Sequence, residues 1–151
     1  MLAMLIAVTA AWAGDARALA CEVSATSTSF GAYSPFDPVA LDGTGNVRMT
    51  CSNLLSILVS YTIRLNAGAN GILAARRMSS GANRLVYNLY TNPGRSTIWG
   101  DGSAGSSVVS EFSLLVLLST ERNYAVFGRI PAGQNVAPGS YTDTIVVTVE
   151  Y

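Results

Sequence analysis

FGRIPAGQNVAPGSYTDTIVVTVEY, residues 127–151, carries the clearest strand signal in the chain. From Tyr141 the odd positions read Tyr141, Asp143, Ile145, Val147, Val149 and Tyr151. The even positions read Thr142, Thr144, Val146, Thr148 and Glu150. Successive strand side chains point to opposite faces, so one face is apolar and the other mostly hydroxylic. The β-branched content agrees with a strand. Pro138-Gly139 supplies the turn before it. The sequence ends on this strand, and a strand edge left uncovered must be protected or used.

Composition narrows the classes of function. Half of the 151 residues are apolar and 12% are charged, which suits one cored domain and argues against a disordered chain. Nine basic residues, all arginine, balance nine acidic ones. No basic stripe exists to steer nucleic acid or an anionic membrane. Histidine is absent, which removes the commonest general base and the commonest metal ligand.

Residues 1–20, MLAMLIAVTAAWAGDARALA, read as a secretory signal peptide ahead of a domain at 21–151. The apolar run is too short to span a bilayer, so the mature form is expected not to cross a membrane. Ala18 and Ala20 make a small-residue cleavage site that releases Cys21, and Ala11 and Ala13 offer a second. No lysine or arginine precedes the run, as a start codon further upstream would explain. A buried apolar N-terminal segment is the alternative reading. Export places the two cysteines, Cys21 and Cys51, in an oxidising compartment, where they are expected to form a disulfide. With both on inward faces, the bridge ties the first strand to the second.

Strands are expected throughout the rest of the chain. Cys21, Val23 and Ala25 share a face, and Val47, Met49 and Cys51 share another. Val59, Tyr61, Ile63 and Leu65 alternate with polar residues. Leu85–Tyr90, Phe112–Leu118 and Tyr124–Ile130 follow, the last after a charged turn at Thr120-Glu121-Arg122-Asn123. Short strands separated by Gly/Asn/Ser/Pro clusters point to an all-β antiparallel sandwich. A helix over Phe112–Leu118 has the same periodicity, but its shortness favours a strand.

The ordered pieces resemble the spore coat protein U domain of archaic, Csu-type chaperone–usher pilus subunits. They are Cys21 with its strand, FGAY at 30–33, the strand ending in Cys51, and YTIRLNAGANG at 61–71. RRM at 76–78, LVYNLY at 85–90, WGDG at 99–102, FGRIPAGQ at 127–134 and GSYTDTIVVTVEY at 139–151 complete the set. The resemblance implies an immunoglobulin-like sandwich missing its final strand. It implies a periplasmic chaperone that lends a strand, an outer-membrane usher, and neighbouring pilus subunits whose N-terminal extensions replace it. Tyr141, Ile145, Val147, Val149 and Tyr151 would then edge the groove that accepts the strand. The route runs through the periplasm to a surface fimbrium or to secretion. One departure bears on position: processing after Ala20 leaves no donor extension before the first strand. Such a subunit accepts a strand without giving one and belongs at a fibre end. A secreted coat or matrix protein meets the same constraint.

Catalysis finds little support. Without histidine or lysine, a serine or threonine nucleophile needs a carboxylate base. Asp101 in WGDG and Asp143 in YTD are the pair available for glycoside chemistry, but each reads better as a turn or strand residue. No cofactor or metal is expected. Trp99 is a candidate platform for a sugar ring, which would make the chain a sugar-binding module, and more simply a packing anchor. Arg76-Arg77 reads as a solvated turn or a partner contact. NLLSIL at 53–58 is apolar where a connection should be polar. Leu54, Leu55, Ile57 and Leu58 are therefore candidates for an exposed adhesive tip, against the alternative that the flanking strands bury them.

Overall fold

The computed structural model describes residues 20–54, 58–114 and 118–150. Among them lie eight strands: β1 (Ala20–Ser29), β2 (Leu41–Leu54), β3 (Leu58–Leu65), β4 (Arg76–Ser80), β5 (Asn83–Tyr90), β6 (Val109–Leu114), β7 (Leu118–Ile130) and β8 (Val147–Glu150). They form a five-stranded sheet in the order β1-β2-β7-β5-β4 and a three-stranded sheet in the order β6-β3-β8. Every ladder between these strands is antiparallel. The chain is an all-β sandwich of the immunoglobulin-like kind.

Alternation builds the core. Val47, Met49 and Cys51 of β2, with Val126 and Ile130 of β7, face inward from the larger sheet. Tyr61, Ile63 and Leu65 of β3 meet them from the smaller one. Each set skips one residue, because only every second side chain of a strand reaches one face. Across the sheets the Tyr61 and Tyr124 hydroxyls bond to each other.

Three expectations are corrected. Thr120–Asn123 is not a turn; it lies inside β7, opposite Arg48–Cys51 of β2. Glu121 and Asn123 are tolerated because they point outward into cross-strand pairs, Glu121 with Arg48 and Asn123 with Asn46. The C-terminal strand is shorter than the alternation suggests. Thr142 pairs with Ser79 on β4, and only from Val147 does the chain join β3. Residues 141–146 are crossing from one sheet to the other, held by Val146 N–H donating to Asn66 Oδ1 at 2.9 Å. The in–out alternation nevertheless runs unbroken from Tyr141 to Glu150. Finally, Phe112 lies in β6, and β6 and β7 together take in both ends of the Phe112–Leu118 run, whose residues 115–117 fall outside the described residues.

The glycine-containing stretch Asp42–Asn46 lies within β2. Gly43 faces Gly128 across the β2–β7 ladder. A Cβ on Gly128 would come 2.5 Å from Phe30 Cζ, and one on Gly43 2.9 Å from Phe30 Cδ1. The bare backbone is what lets Phe30 lie flat on the inner face once β1 has bulged between Thr26 and Ser29.

Candidate functional site

β1 is one outer strand of the larger sheet, with β4 the other, and β8 is one outer strand of the smaller sheet, with β6 the other. Between β1 and the segment 141–147 lies a groove of about 470 Å³ whose floor includes Val47, Met78, Leu89 and Val126. The two walls differ from the rest of the sandwich in burial. Val23 and Ala25 pair with Met49 and Val47, which are fully buried, yet Val23 is 36% exposed and Ala25 is exposed. Among the described residues no strand lies over β1 to cover them. On the opposite wall Tyr141, Ile145, Val147 and Val149 point inward and are only half-buried. The structure brings these four sequence-selected residues together along one rim. Tyr151 lies outside the described residues.

The walls run in opposite directions. Cys21, paired with Cys51, and Glu150, paired with Thr62 midway along β3, lie toward one end of the two walls. Phe30 and Tyr141 mark the other end. At the first end a Cys21–Cys51 disulfide crosses the β1–β2 ladder, with Cys51 buried. It fastens the wall strand to the body of the sheet. At the second end Phe30 meets Tyr87 edge-on, with ring centroids 6.0 Å apart. Tyr87 Oη donates to Asp143 Oδ2 at 2.7 Å, while Asp143 Oδ1 accepts from Ala69 N–H at 2.9 Å. Burial, reinforced by the bond to Asp143, pushes the Tyr87 phenol well above its ordinary pKa. This hydroxyl stays protonated and serves as a donor.

Arg76 corrects the reading of RRM as a solvated turn or partner contact. It is fully buried. Its guanidinium donates twice to Asn66 O, at 3.0 and 2.8 Å, once to Trp99 O at 2.7 Å, and once to Asn88 Oδ1 at 2.6 Å. Desolvation lowers its pKa, and none of these acceptors is a carboxylate. Five fixed donors in one plane bind three separate chain segments at once, which a lysine would not reproduce. Trp99 is also fully buried, its Nε1–H donating to Ile63 O at 3.1 Å, so it anchors the core and offers no face to a sugar.

The two aspartates do not form a catalytic pair. Asp101 accepts from Ser103 N–H and Oγ–H in its own turn, which lowers its pKa. Asp143 is committed to Tyr87 and to the backbone of residues 69 and 144. Sequence reasoning did not single out Gln134. Its side-chain amide bonds both N–H and C=O of Val86, at 2.8 Å each, where Pro131 has ended β7. A polar residue just past a strand-ending proline was the available signal. Of the apolar stretch 53–58, residues 55–57 fall outside the described residues. The backbone register pairs Leu54 with Leu118 and Leu58 with Leu114, so the strand ends that border residues 55–57 and 115–117 lie next to one another.

Comparison with known proteins agrees with this architecture. The family described as Spore Coat Protein U domain matches residues 6–148, beginning inside the stretch read above as a leader. "Protein U" of Myxococcus xanthus is 29% identical over 147 residues, covering 91% of this chain and 79% of its own. A chain from the CsuC–CsuE chaperone–tip adhesion subunit pre-assembly complex of Acinetobacter baumannii archaic chaperone–usher Csu pili superposes with a TM-score of 0.62. That pair is 24% identical and covers 89% of this chain but 40% of the other, a likeness of fold. The chain belongs to the Spore Coat Protein U domain family.

Proposed function

We propose that this member of the Spore Coat Protein U domain family is an exported structural and adhesive subunit of a chaperone–usher pilus. The groove between two free strand edges carries the reading. A strand laid there pairs its backbone with an exposed edge and sends alternate side chains onto Val23, Ala25, Ile145 and Val147. A periplasmic chaperone supplies that strand first, and the N-terminal extension of a neighbouring subunit replaces it at the usher. The likeness in fold to a chain of the Csu chaperone–tip adhesion subunit complex supports these partners. The role is one of binding, not catalysis.

Residues 1–20 are the proposed leader, and 21–151 the exported domain. The terminal position in the fibre follows only if processing leaves Cys21 first, which N-terminal sequencing of the exported protein decides. The apolar sequence of this stretch, with Leu54 paired to Leu118 and Leu58 to Leu114, supports an adhesive tip at Leu54, Leu55, Ile57 and Leu58. Changing Leu54, Leu55 and Ile57 to serine then removes attachment to hydrophobic surfaces while export persists. Collapse of export identifies these leucines as core instead.

A secreted coat protein is the second reading, favoured by the likeness to Protein U over most of both chains. Purification from periplasm separates the two. A pilus subunit comes out bound to a chaperone and appears in surface fibres. A stable, chaperone-free monomer with no fibres rejects the pilus reading.

A further inference from the structure

The two sheets present four outer strands, β1, β4, β6 and β8, and their charges are placed differently. β1 and β8 border the groove, and the charged side chains of both point away from it. Glu22 falls between the inward Cys21 and Val23, and Glu150 follows the inward Val149 and pairs with Arg64. Asp143, the inward charge of the crossing segment, is taken up by Tyr87 and by the N–H groups of residues 69 and 144. β4 is short, and its Ser79 is bonded through both N–H and C=O to Thr142. β6 has β3 on one side and, among the described residues, no strand on the other.

β6 reads VSEFSL, apolar or hydroxylic except for Glu111. An edge without proline and with a single charge is a template for another strand. Glu111 stands in the row that faces inward. It pairs directly with Tyr61, which is 7% exposed, and Val109 two residues before it packs against the core. Directly paired residues share a face, as do residues two apart in one strand. A second sign of its direction comes from across the sandwich, where the Tyr124 hydroxyl of β7 bonds to that of Tyr61. Burial and the bond to Tyr61 raise the Tyr124 pKa, and the charge of Glu111 adds to them; Arg122, on the same row of β7, acts the other way. Glu111 itself is exposed and makes no ion pair among the described residues, with Arg122 or with any other cation. A strand added to β6 would lay an inward side chain beside this carboxylate and strip water from it. Burying a carboxylate without a bonded partner is costly, and an inward charge is one way an edge strand refuses pairing.

We infer that Glu111 closes the β6 edge to strand addition, so that a guest strand is accepted at the groove and two copies of the domain do not join edge to edge. The guest's place in the groove rests on the strand-accepting reading; the closure of β6 does not.

Sedimentation and amide exchange test it on the chain with a strand of alternating valine and threonine fused after Tyr151, which fills the groove and leaves β6 as the edge in question. The parent and Glu111→Lys should both sediment as monomers, because either charge blocks the edge. Glu111→Val should run at about twice the parent's mass, with two β6 edges paired across a two-fold axis. Its β6 amides should gain protection from exchange that the parent lacks. A monomeric Glu111→Val with unprotected β6 amides overturns the inference. So does association of Glu111→Val without β6 protection, since the copies then meet through another surface, and so does equal association of Glu111→Lys. The free valine–threonine peptide, added to the unfused parent, tests the groove separately. A parent that binds none of it loses the groove reading, and β6 protection in Glu111→Val then decides the closure of β6 alone.

Discussion

Met49 and Val23 are neighbours across one ladder, on the same face of one sheet, and their environments are opposite. Met49 is 2% exposed, while Val23 is 36% exposed. The same contrast separates two halves of the sandwich. Arg76, Trp99 and Ile63 are fully buried, and every buried side-chain polar atom among the described residues has a partner. Between β1 and the C-terminal segment the alternation is just as regular, but the inward residues stop at half-burial. Apolar pattern specifies which face is meant for the interior. It does not say whether the chain itself supplies what covers that face.

The contrast breaks most readily at the closed half. Arg76→Met strips donors from Trp99 O and Asn88 Oδ1, both in buried bonds, and from the part-buried Asn66 O. At about 1–3 kcal/mol for each unsatisfied group, the loss should be about 3–5 kcal/mol in chemical denaturation. A loss under about 1 kcal/mol would show that this half is as loose as the other.

The disulfide comes next, because it joins the two halves. Replacing Cys21 and Cys51 together by serine frees a loop with a separation of 30 residues. The expected loss is about 3–4 kcal/mol. Amide exchange should rise first in β1, since that strand has β2 on one side and the groove on the other.

Val23→Ser sharpens the comparison by changing with occupancy. In the free domain the side chain is open, and the change should stay within about 0.5 kcal/mol. With a strand in the groove, Val23 becomes interior, and the cost should rise to about 1.5–3 kcal/mol.

The smallest effect is expected on the outer surface. Asp42 is paired with Arg129 at 2.7 Å and Arg95 at 3.2 Å. The Arg129 hydrogen bond, aided by the charges of Arg129 and Arg95, holds its carboxyl below the ordinary 3.8. A depressed carboxylate pKa stabilises above the unfolded value and loses that contribution as pH falls through the folded one. Asp42→Asn should therefore cost about 0.2–1 kcal/mol at pH 6, with the difference fading well below pH 3.8.

Much of the fold was legible because side-chain alternation is a local property. β3 and β5 emerged close to their expected bounds, and so did the inward face of Tyr141, Ile145, Val147 and Val149. What sequence could not supply was pairing across distance. Thr120–Asn123 reads as a turn until Arg48 and Asn46 are seen to pair with it. Arg76 was misread for the same reason. A charged residue declares itself solvated unless three backbone and side-chain oxygens from distant segments converge on it. The groove was legible only as an edge, since its opposite wall and its floor come from residues far apart in sequence.

The central claim is that the interior is left open along one groove and closes when a strand is added. Fusing a strand of alternating valine and threonine after Tyr151 through a flexible linker, and comparing melting temperatures with the unfused chain, tests it most directly. Several inward side chains would pass from half-buried to buried at about 1.5–3 kcal/mol for each fully covered residue. The melting temperature should then rise by about 10 °C or more, and a fused segment of scrambled, non-alternating order should give no such rise. An unfused chain that already melts as a stable cooperative monomer, unmoved by the added strand, would contradict the account.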